Sequence, residues 1–179
     1  MTDEQLVAAI NAGDAGAFEG LYFRHRDYVL RLARRFTGND DDALDVMQET
    51  FAYLLRQVPG FELRARMTTY LWPVVRSLSV SARRRRGRVL AVDDAGLDAV
   101  EGAKPPAASD GGAVGDIGEA LIGLSHEHRQ VVLMRFVDDL DLAEIALLLE
   151  VPLGTVKSRL HTAIAKLRDS PTCRAYFEA

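Results

Sequence analysis

The chain of 179 residues is poor in cysteine and in long apolar runs, and each shortage excludes a class of protein. Its one cysteine, Cys173, excludes an internal disulfide framework and fits a reducing compartment. No run approaches the roughly 18 apolar residues of a transmembrane helix. The opening stretch MTDEQLVAAINAGD lacks the basic start and apolar core of a signal peptide. We therefore expect a cytoplasmic protein with no membrane insertion.

Motifs of catalysis and metal binding are also scarce. No glycine-rich phosphate loop is present, and Cys173 has no histidine near it in the sequence. His126 and His128 are two residues apart, which places them about 200° apart on a helix, whereas a shared metal favours an i, i+4 pair. We therefore expect a protein that is not an enzyme and that binds no metal and no cofactor. An enzyme is the alternative function from another class.

Positive charge is concentrated in the first half of the chain. The formal net charge is -4 and the pI is near 5.6. Residues 1–88 nevertheless hold 14 arginines against 11 acidic residues, whereas residues 89–115 and 116–179 are both net acidic. The acidic total therefore conceals a basic N-terminal part that suits a polyanionic partner.

Apolar residues recur at helical spacing and no segment alternates as a strand does, so we expect an all-α protein with two small helical domains. One stripe runs from Phe18 to Phe36 and ends at Gly38, before the acidic NDDD. The third stripe, from Met67 to Leu78, contains Pro73, which should kink its helix or delay the start. The second stripe comprises Leu44, Met47, Phe51, Leu54, Leu55 and Val58.

A stretch rich in alanine, glycine, aspartate and proline divides the chain. We interpret residues 89–115 as a flexible acidic linker between a domain over 1–88 and a second over 116–179. In the second domain, Asp141 and Glu144 of DLAE have the spacing of a capping box. The preceding helix or helices should contain Leu121, Leu124, Val131, Val132, Met134 and Arg135.

The stretch LEVPLGTVKSRLHTAI, residues 149–164, has the pattern of a helix-turn-helix. Its apolar face should pack on the preceding helix, and comprises Val156, Leu160, Ala163 and Leu167. A polar face for base edges and phosphates comprises Thr155, Lys157, Ser158, Arg159, His161 and Thr162. An ordinary helical hairpin with a solvated polar face is the alternative.

The segment EIALLLEVPLGTVKSRLHTAIAKLR resembles the C-terminal helix-turn-helix of bacterial RNA polymerase sigma factors, in particular the extracytoplasmic-function (ECF) group. Alone, TVKSRL is also similar to the LuxR-type response-regulator module. GDAGAFEGLYFRHRDYVLRLARRF, DALDVMQETFAYLL and TYLWPVVRSLSVSARRRR resemble, in order, the helices of sigma region 2. The resemblance covers about residues 4–86 and 117–169, and favours a sigma factor over a LuxR-type regulator.

This resemblance implies a transcription initiation factor that binds core RNA polymerase and directs it to promoters through the -10 and -35 elements. The helix-turn-helix would read the -35 element, and an anti-sigma factor is a further implied partner. Docking on the clamp helices of the largest polymerase subunit would use Asp45, Gln48 and Glu49. Capture of a flipped base and binding of the -10 strand would use Phe61, Arg64, Arg66, Tyr70, Trp72, Arg76, Ser77, Arg83 and Arg84.

Several positions depart from the family pattern. Ser77 stands where asparagine is usual, and Pro73 is unexpected within its helix. Glu150 stands where the turn usually has glycine, so the backbone there is either left-handed or follows a different turn. Pro152 replaces the usual N-cap serine and offers no side-chain acceptor.

Overall fold

The computed structural model describes residues 1–89 and 120–170, which belong to two separate compact units. All regular structure in these residues is helical, which confirms the all-α prediction. None of these helices is long and apolar enough to span a membrane. Apart from Val89, the predicted linker over 89–115 lies outside the described residues, as does Cys173, and the domain limits stay predictions. The N-terminal unit contains α1 (Asp3–Asn11), α2 (Ala15–Thr37), α3 (Asp40–Gln57) and α4 (Met67–Val89).

Local sequence signals determine where the first helices begin and end. Thr2 and Gln5 form a capping box at the start of α1, a helix that the apolar stripes did not predict. Gly38 ends α2 in a left-handed conformation, with φ 68° and its N–H donating to the Arg34 carbonyl at 2.9 Å. Asn39 then caps α3 by accepting from the Asp42 N–H at 2.9 Å. The predicted helix end at Gly38 is thus confirmed.

Helix α2 is the centre of the N-terminal unit and packs against the other three helices. The predicted second stripe is partly wrong, because Leu44 and Leu55 are 41% and 45% exposed. Ala43, Val46 and Thr50 are buried on α3 instead. The largest fully buried side chains of this unit are Trp72, Leu21, Leu32, Leu54, Met67, Leu71, Val29, Val46 and Val75.

Pro73 lies inside α4 rather than at its start. The helix begins at Met67, six residues earlier, so the delayed start that Pro73 suggested does not occur. The proline side chain faces solvent, while Met67, Leu71 and Val75 are buried. The helix thus keeps its apolar face on the core and places the pyrrolidine ring outside.

The C-terminal unit contains α5 (His126–Phe136), α6 (Leu142–Leu149) and α7 (Leu153–Asp169), preceded by a helical turn at residues 120–122. Arg129 joins that turn to α5. Its guanidinium donates to the carbonyl oxygens of Leu121, Ile122 and Leu124 at 2.8, 2.7 and 3.1 Å. One side chain therefore satisfies carbonyl groups that a helix end leaves without partners.

The turn between α6 and α7 tests three sequence predictions. The capping box is confirmed, because the Glu144 N–H donates to Asp141 and the Asp141 N–H donates to Glu144, at 2.8 and 2.7 Å. Glu150 has φ 55° and ψ 39°, which confirms the left-handed alternative. Pro152 occupies the N-cap of α7 and makes no side-chain capping bond, as expected.

Helix α7 packs against both α5 and α6. Val156 and Ala163 are fully buried. Leu160 and Leu167 are partly buried against a cluster of Leu124, Val132 and Ala163. The predicted apolar face of α7 therefore forms the core of the unit, although it packs on α5 as well as on the preceding helix.

Candidate polymerase and DNA interfaces

The outer face of α3 combines polar and apolar side chains. Asp45 and Gln48 are exposed and Glu49 is half-buried. The exposed Leu44 and Leu55 fall beside Gln48 on the helical wheel. Sequence reasoning missed these two leucines, because it assigned them to the core. A face with apolar centre and polar edge has the composition of a protein–protein interface.

Two ion pairs join the acidic edge of α3 to the arginine run of α4. Arg86 Nη1 lies 2.8 Å from Asp42 Oδ2. Arg85 Nη2 lies 3.6 Å from Glu49 Oε2. All four side chains remain partly exposed, so each pair contributes little to stability in water. The two pairs mainly affect local charge, because Arg85 and Arg86, near the end of α4, are already paired with carboxylates of α3.

Phe61 and Tyr70 bring the loop between α3 and α4 against the start of α4. Their ring centroids are 4.6 Å apart and the rings are tilted by 56°. Burial raises the pKa of Tyr70 above its ordinary value, and the charge and hydrogen bond of Tyr53 on α3 raise it further. The Tyr70 hydroxyl therefore stays neutral at physiological pH. Two rings in contact form an apolar platform at the base of this loop.

The arginines of this loop are exposed beside the platform. Arg64 donates to Glu62 at 3.0 Å, and both side chains are largely in solvent. Arg66 is exposed as well. Positive charge next to aromatic rings is the combination that single-stranded nucleic acid requires. The structure thus brings together four of the predicted residues, Phe61, Arg64, Arg66 and Tyr70, on one loop and the helix that follows it.

Trp72 does not share this surface and must be removed from the predicted set. Its side chain is 1% exposed and packs edge-to-face on Phe36, with ring centroids 5.7 Å apart. The Arg76 guanidinium covers the indole at 5.6 Å. An indole enclosed in this way has no face available for a base, so Trp72 acts in the core of the unit.

The exposed stripe of α4 begins at Pro73 and continues through Ser77, Ser81 and Arg84. Ser81 Oγ donates back to the Ser77 carbonyl at 3.0 Å. Arg83 is half-buried and its Nη1 lies 3.4 Å from the Phe36 carbonyl. Ser77 and Arg84 therefore belong to one continuous surface, whereas Arg76 and Arg83 lie along its edge.

The exposed face of α7 differs from the predicted one by about a quarter turn. Lys157, Ser158 and His161 are exposed, as expected, together with Gly154 and Ala165. The other three predicted residues, Thr155, Arg159 and Thr162, are half-buried, and Arg159 is paired with Glu127 on α5. The centre of the accessible surface therefore consists of small and polar residues, and Lys157 supplies positive charge in the first turns of the helix.

Arg159 is held by an ion pair across the unit. Its Nη2 lies 2.8 Å from Oε1 of Glu127, in the first turn of α5, and its side chain is only 21% exposed. Sequence reasoning missed Glu127, because the two residues are far apart in the chain. One branch of the guanidinium thus fixes α7 against α5.

The fold and these surfaces define a two-unit helical DNA-binding protein whose C-terminal unit carries a helix-turn-helix. Residues 21–89 match the family model of sigma-70 region 2, and residues 120–169 match that of sigma-70 region 4. The chain therefore belongs to the sigma-70 family of RNA polymerase sigma factors, in its ECF group. It is a transcription initiation factor that binds core RNA polymerase and directs it to promoters. Members of this family are regulatory initiation factors rather than catalytic enzymes.

Relatives agree with this assignment, and solved structures share the fold. The chain is 35% identical over 170 residues to the ECF RNA polymerase sigma factor SigL of Mycobacterium tuberculosis, covering 90% of this chain and 93% of that protein. It is 25% identical over 179 residues to ECF RNA polymerase sigma factor SigW of Bacillus subtilis, covering 94% and 96%. Its fold is similar to CnrH in complex with the cytosolic domain of CnrY, with TM-score 0.63, 21% identity and coverage of 92% and 93%. The sigma factor RpoE of Bartonella quintana, in complex with the anti-sigma factor NepR, gives TM-score 0.58, 20% identity and coverage of 85% and 94%.

Proposed function

We propose that the two units divide the work of promoter recognition. The N-terminal unit docks on core polymerase through the outer face of α3 and reads the -10 element with the α3–α4 loop and the exposed stripe of α4. The C-terminal unit reads the -35 element with α7. The observation that carries this proposal is the contact of Phe61 with Tyr70 beside exposed Arg64 and Arg66, because it combines stacking surface with positive charge.

Docking through α3 is supported by the composition of its outer face. Leu44 and Leu55 supply apolar area, while Asp45 and Gln48 supply polar groups that suit a basic partner. Glu49 contributes less than the sequence predicts, since it already faces Arg85. We propose the clamp helices of the largest polymerase subunit as the surface that this face contacts.

Recognition of the -35 element by α7 depends on a small number of groups. Lys157, Ser158 and His161 face solvent together and suit phosphates and base edges. Arg159 remains in the proposed set, with the difference that DNA must compete with Glu127 for its guanidinium. Thr155 and Thr162, half-buried at the edge, complete it.

We further propose an anti-sigma factor as partner and the cytoplasm as the place of action, with no cofactor and no catalytic activity. CnrH and RpoE, whose folds are similar, were each solved with a bound partner protein. Exposed Phe136 and Leu147 on the C-terminal unit supply apolar surface of the kind that such a partner covers.

Transcription with purified core polymerase tests the division of work. Templates with both elements intact, with a scrambled -10 element and with a scrambled -35 element are compared. We expect Arg64→Ala to lower transcript yield roughly tenfold on the intact template and on the scrambled -35 template, since a stacked strand loses its backbone cation. Lys157→Ala should lower the yield severalfold on the intact template and have no effect once the -35 element is scrambled.

Lys157 is a cleaner probe of α7 than Arg159, because Arg159→Ala also removes the ion pair with Glu127. Equal losses on all templates for both variants would contradict the division. Tight, sequence-specific binding of the free protein to duplex DNA, with no effect of core polymerase, would instead favour a LuxR-type regulator.

A further inference from the structure

The side chain of Asn11 connects α1 to the loop that we propose to capture the -10 base. Asn11 Nδ2 donates to the carbonyl oxygen of Phe61 at 2.8 Å. Asn11 Oδ1 accepts from the N–H of Gly60 at 3.1 Å. The side-chain amide of Asn11 thus bonds to the backbone N–H of one residue and to the carbonyl of the next, 49 and 50 positions away in the chain. A pair of bonds with this geometry fixes both the position and the orientation of the backbone it holds.

The loop needs such an anchor at this point. Gly60 has φ 109°, a conformation that favours glycine, and a Cβ at that position would meet nothing within 4 Å. Because glycine is the least restricted residue type, Gly60 needs contacts from elsewhere to hold one conformation. Beyond Phe61, Glu62, Arg64 and Arg66 are exposed until α4 begins at the buried Met67. Asn11 and Met67 are the fixed points on either side of this exposed tip.

The helix that carries Asn11 is itself firmly attached. At its start, Asp3 accepts from Arg24 at 2.6 Å and is paired with His25 Nε2 at 2.9 Å. Along its length, Val7 and Ile10 are buried and share a small apolar cavity with Phe61. The hydrogen bonds of Asn11 therefore join the loop to a helix that is itself packed and paired against the rest of the unit.

We propose that Asn11 is a positioning residue for base recognition at the -10 element. Its amide holds the Gly60–Phe61 backbone so that the Phe61 ring stays against Tyr70 and the loop keeps the shape that accepts one base. Asn11 touches no DNA in this proposal and acts through the loop. The inference depends on the proposed role of this loop in reading the -10 strand.

The proposed role of Asn11 is tested by measuring how strongly the protein discriminates between bases at the captured position. Holoenzyme made with the full chain is mixed with fluorescein-labelled, single-stranded oligonucleotides of the non-template -10 sequence, varied one base at a time, and affinities are measured by anisotropy. We expect Asn11→Ala to reduce the preference for the best base at the captured position by about tenfold, since two hydrogen bonds are lost. Asn11→Asp should lose as much, because it places a carboxylate oxygen against the Phe61 carbonyl.

A matched control separates positioning from stability. Thr2→Ala removes the capping box at the opposite end of α1 and loosens that helix without touching the loop. We expect Thr2→Ala to keep the base preference and both Asn11 variants to keep wild-type affinity for core polymerase. If Thr2→Ala reduces the preference as much as Asn11→Ala, or if the Asn11 variants fail to bind core, Asn11 has only a structural role and the inference is wrong.

The same titration distinguishes this inference from the function on which it rests. Wild-type holoenzyme without a base preference at any -10 position would overturn the proposed role of the loop. A wild-type base preference that Asn11→Ala leaves intact would overturn only the role of Asn11.

Discussion

At the scale of single residues, one ion pair changes how α7 is understood. Arg159 is the only arginine in the first two turns of a helix with the spacing of a recognition helix, so the sequence favours it as a base reader. In the structure its guanidinium is paired with Glu127 at 2.8 Å. DNA must therefore compete with a carboxylate of the same unit for a guanidinium that is only 21% exposed.

The backbone conformation of Glu150 leads to a prediction about the stability of the C-terminal unit. Its φ of 55° is left-handed, which strains a residue with a Cβ. We expect Glu150→Gly to stabilise the C-terminal unit by about 1 kcal/mol, since relief of strain exceeds the entropy gained by the unfolded chain. Native-state hydrogen exchange of α6 and α7 amides measures this. Glu150→Ala keeps the Cβ and serves as control, and equal protection in the two variants would show that strain is not the cause.

At the scale of helices, α1 is the element whose importance the apolar stripes did not reveal. It has nine residues and would be marginal in isolation. Its buried face of Leu6, Val7 and Ile10 attaches it to the unit, and polar side chains hold both ends. Asp3 is tied to α2, and Asn11 is tied to the α3–α4 loop.

The attachment of α1 should depend on pH through Asp3. Partial burial acts to raise the pKa of this carboxyl, but hydrogen bonds from Arg24 and His25, with their charges, outweigh it, so the pKa lies below its ordinary value. A lowered pKa in the folded state means that the stabilisation is present above the unfolded value of about 3.9 and disappears as the pH falls through the folded value.

We therefore expect Asp3→Asn to destabilise α1 by about 1 kcal/mol at pH 7, with the difference from wild type shrinking below about pH 4. Hydrogen exchange of α1 amides across this pH range is the measurement. Asp27→Asn is the control, because Asp27 forms a highly exposed pair with Arg26 and should change α1 little. A difference that persists unchanged at low pH would rule out ionisation of Asp3 as its origin.

At the scale of the whole molecule, the distribution of charge matters more than its sum. The chain carries -4 overall. Its first unit is rich in arginine, yet Arg85 and Arg86 face Glu49 and Asp42 on α3. The free protein is therefore less basic toward DNA at this surface than a count of arginines suggests.

Removing these carboxylate partners should expose the masked charge. We expect Asp42→Asn with Glu49→Gln to raise the affinity of the free protein for nonspecific duplex DNA severalfold, and to steepen its salt dependence by up to roughly two phosphate contacts. Fluorescence anisotropy at several salt concentrations measures both. The control, Asp41→Asn with Glu19→Gln, changes net charge equally at other exposed positions of the unit. An equal gain from the control would attribute the effect to net charge alone.

Local patterns in the sequence predicted the described helices except α1, several helix ends and the class of protein. Helical periodicity, the end at Gly38 and the Asp141–Glu144 capping box are local properties, set by residues within one or two turns. The order of the two segments that resemble sigma regions 2 and 4 identifies the two units. These features survive in the structure because neighbouring residues encode them.

Which side chains are available for function depends on how the helices pack. Trp72 and Phe61 are both aromatic residues near arginines, yet packing on α2 buries the first and leaves the second half-exposed on a loop. Leu44, which periodicity assigned to the core, lies at the surface, because the helices around α3 cover only part of its apolar arc. Asn11 donates a hydrogen bond to the carbonyl of Phe61, 50 residues away in the chain. Contacts at this separation depend on how helices pack, and no local pattern in the sequence encodes them.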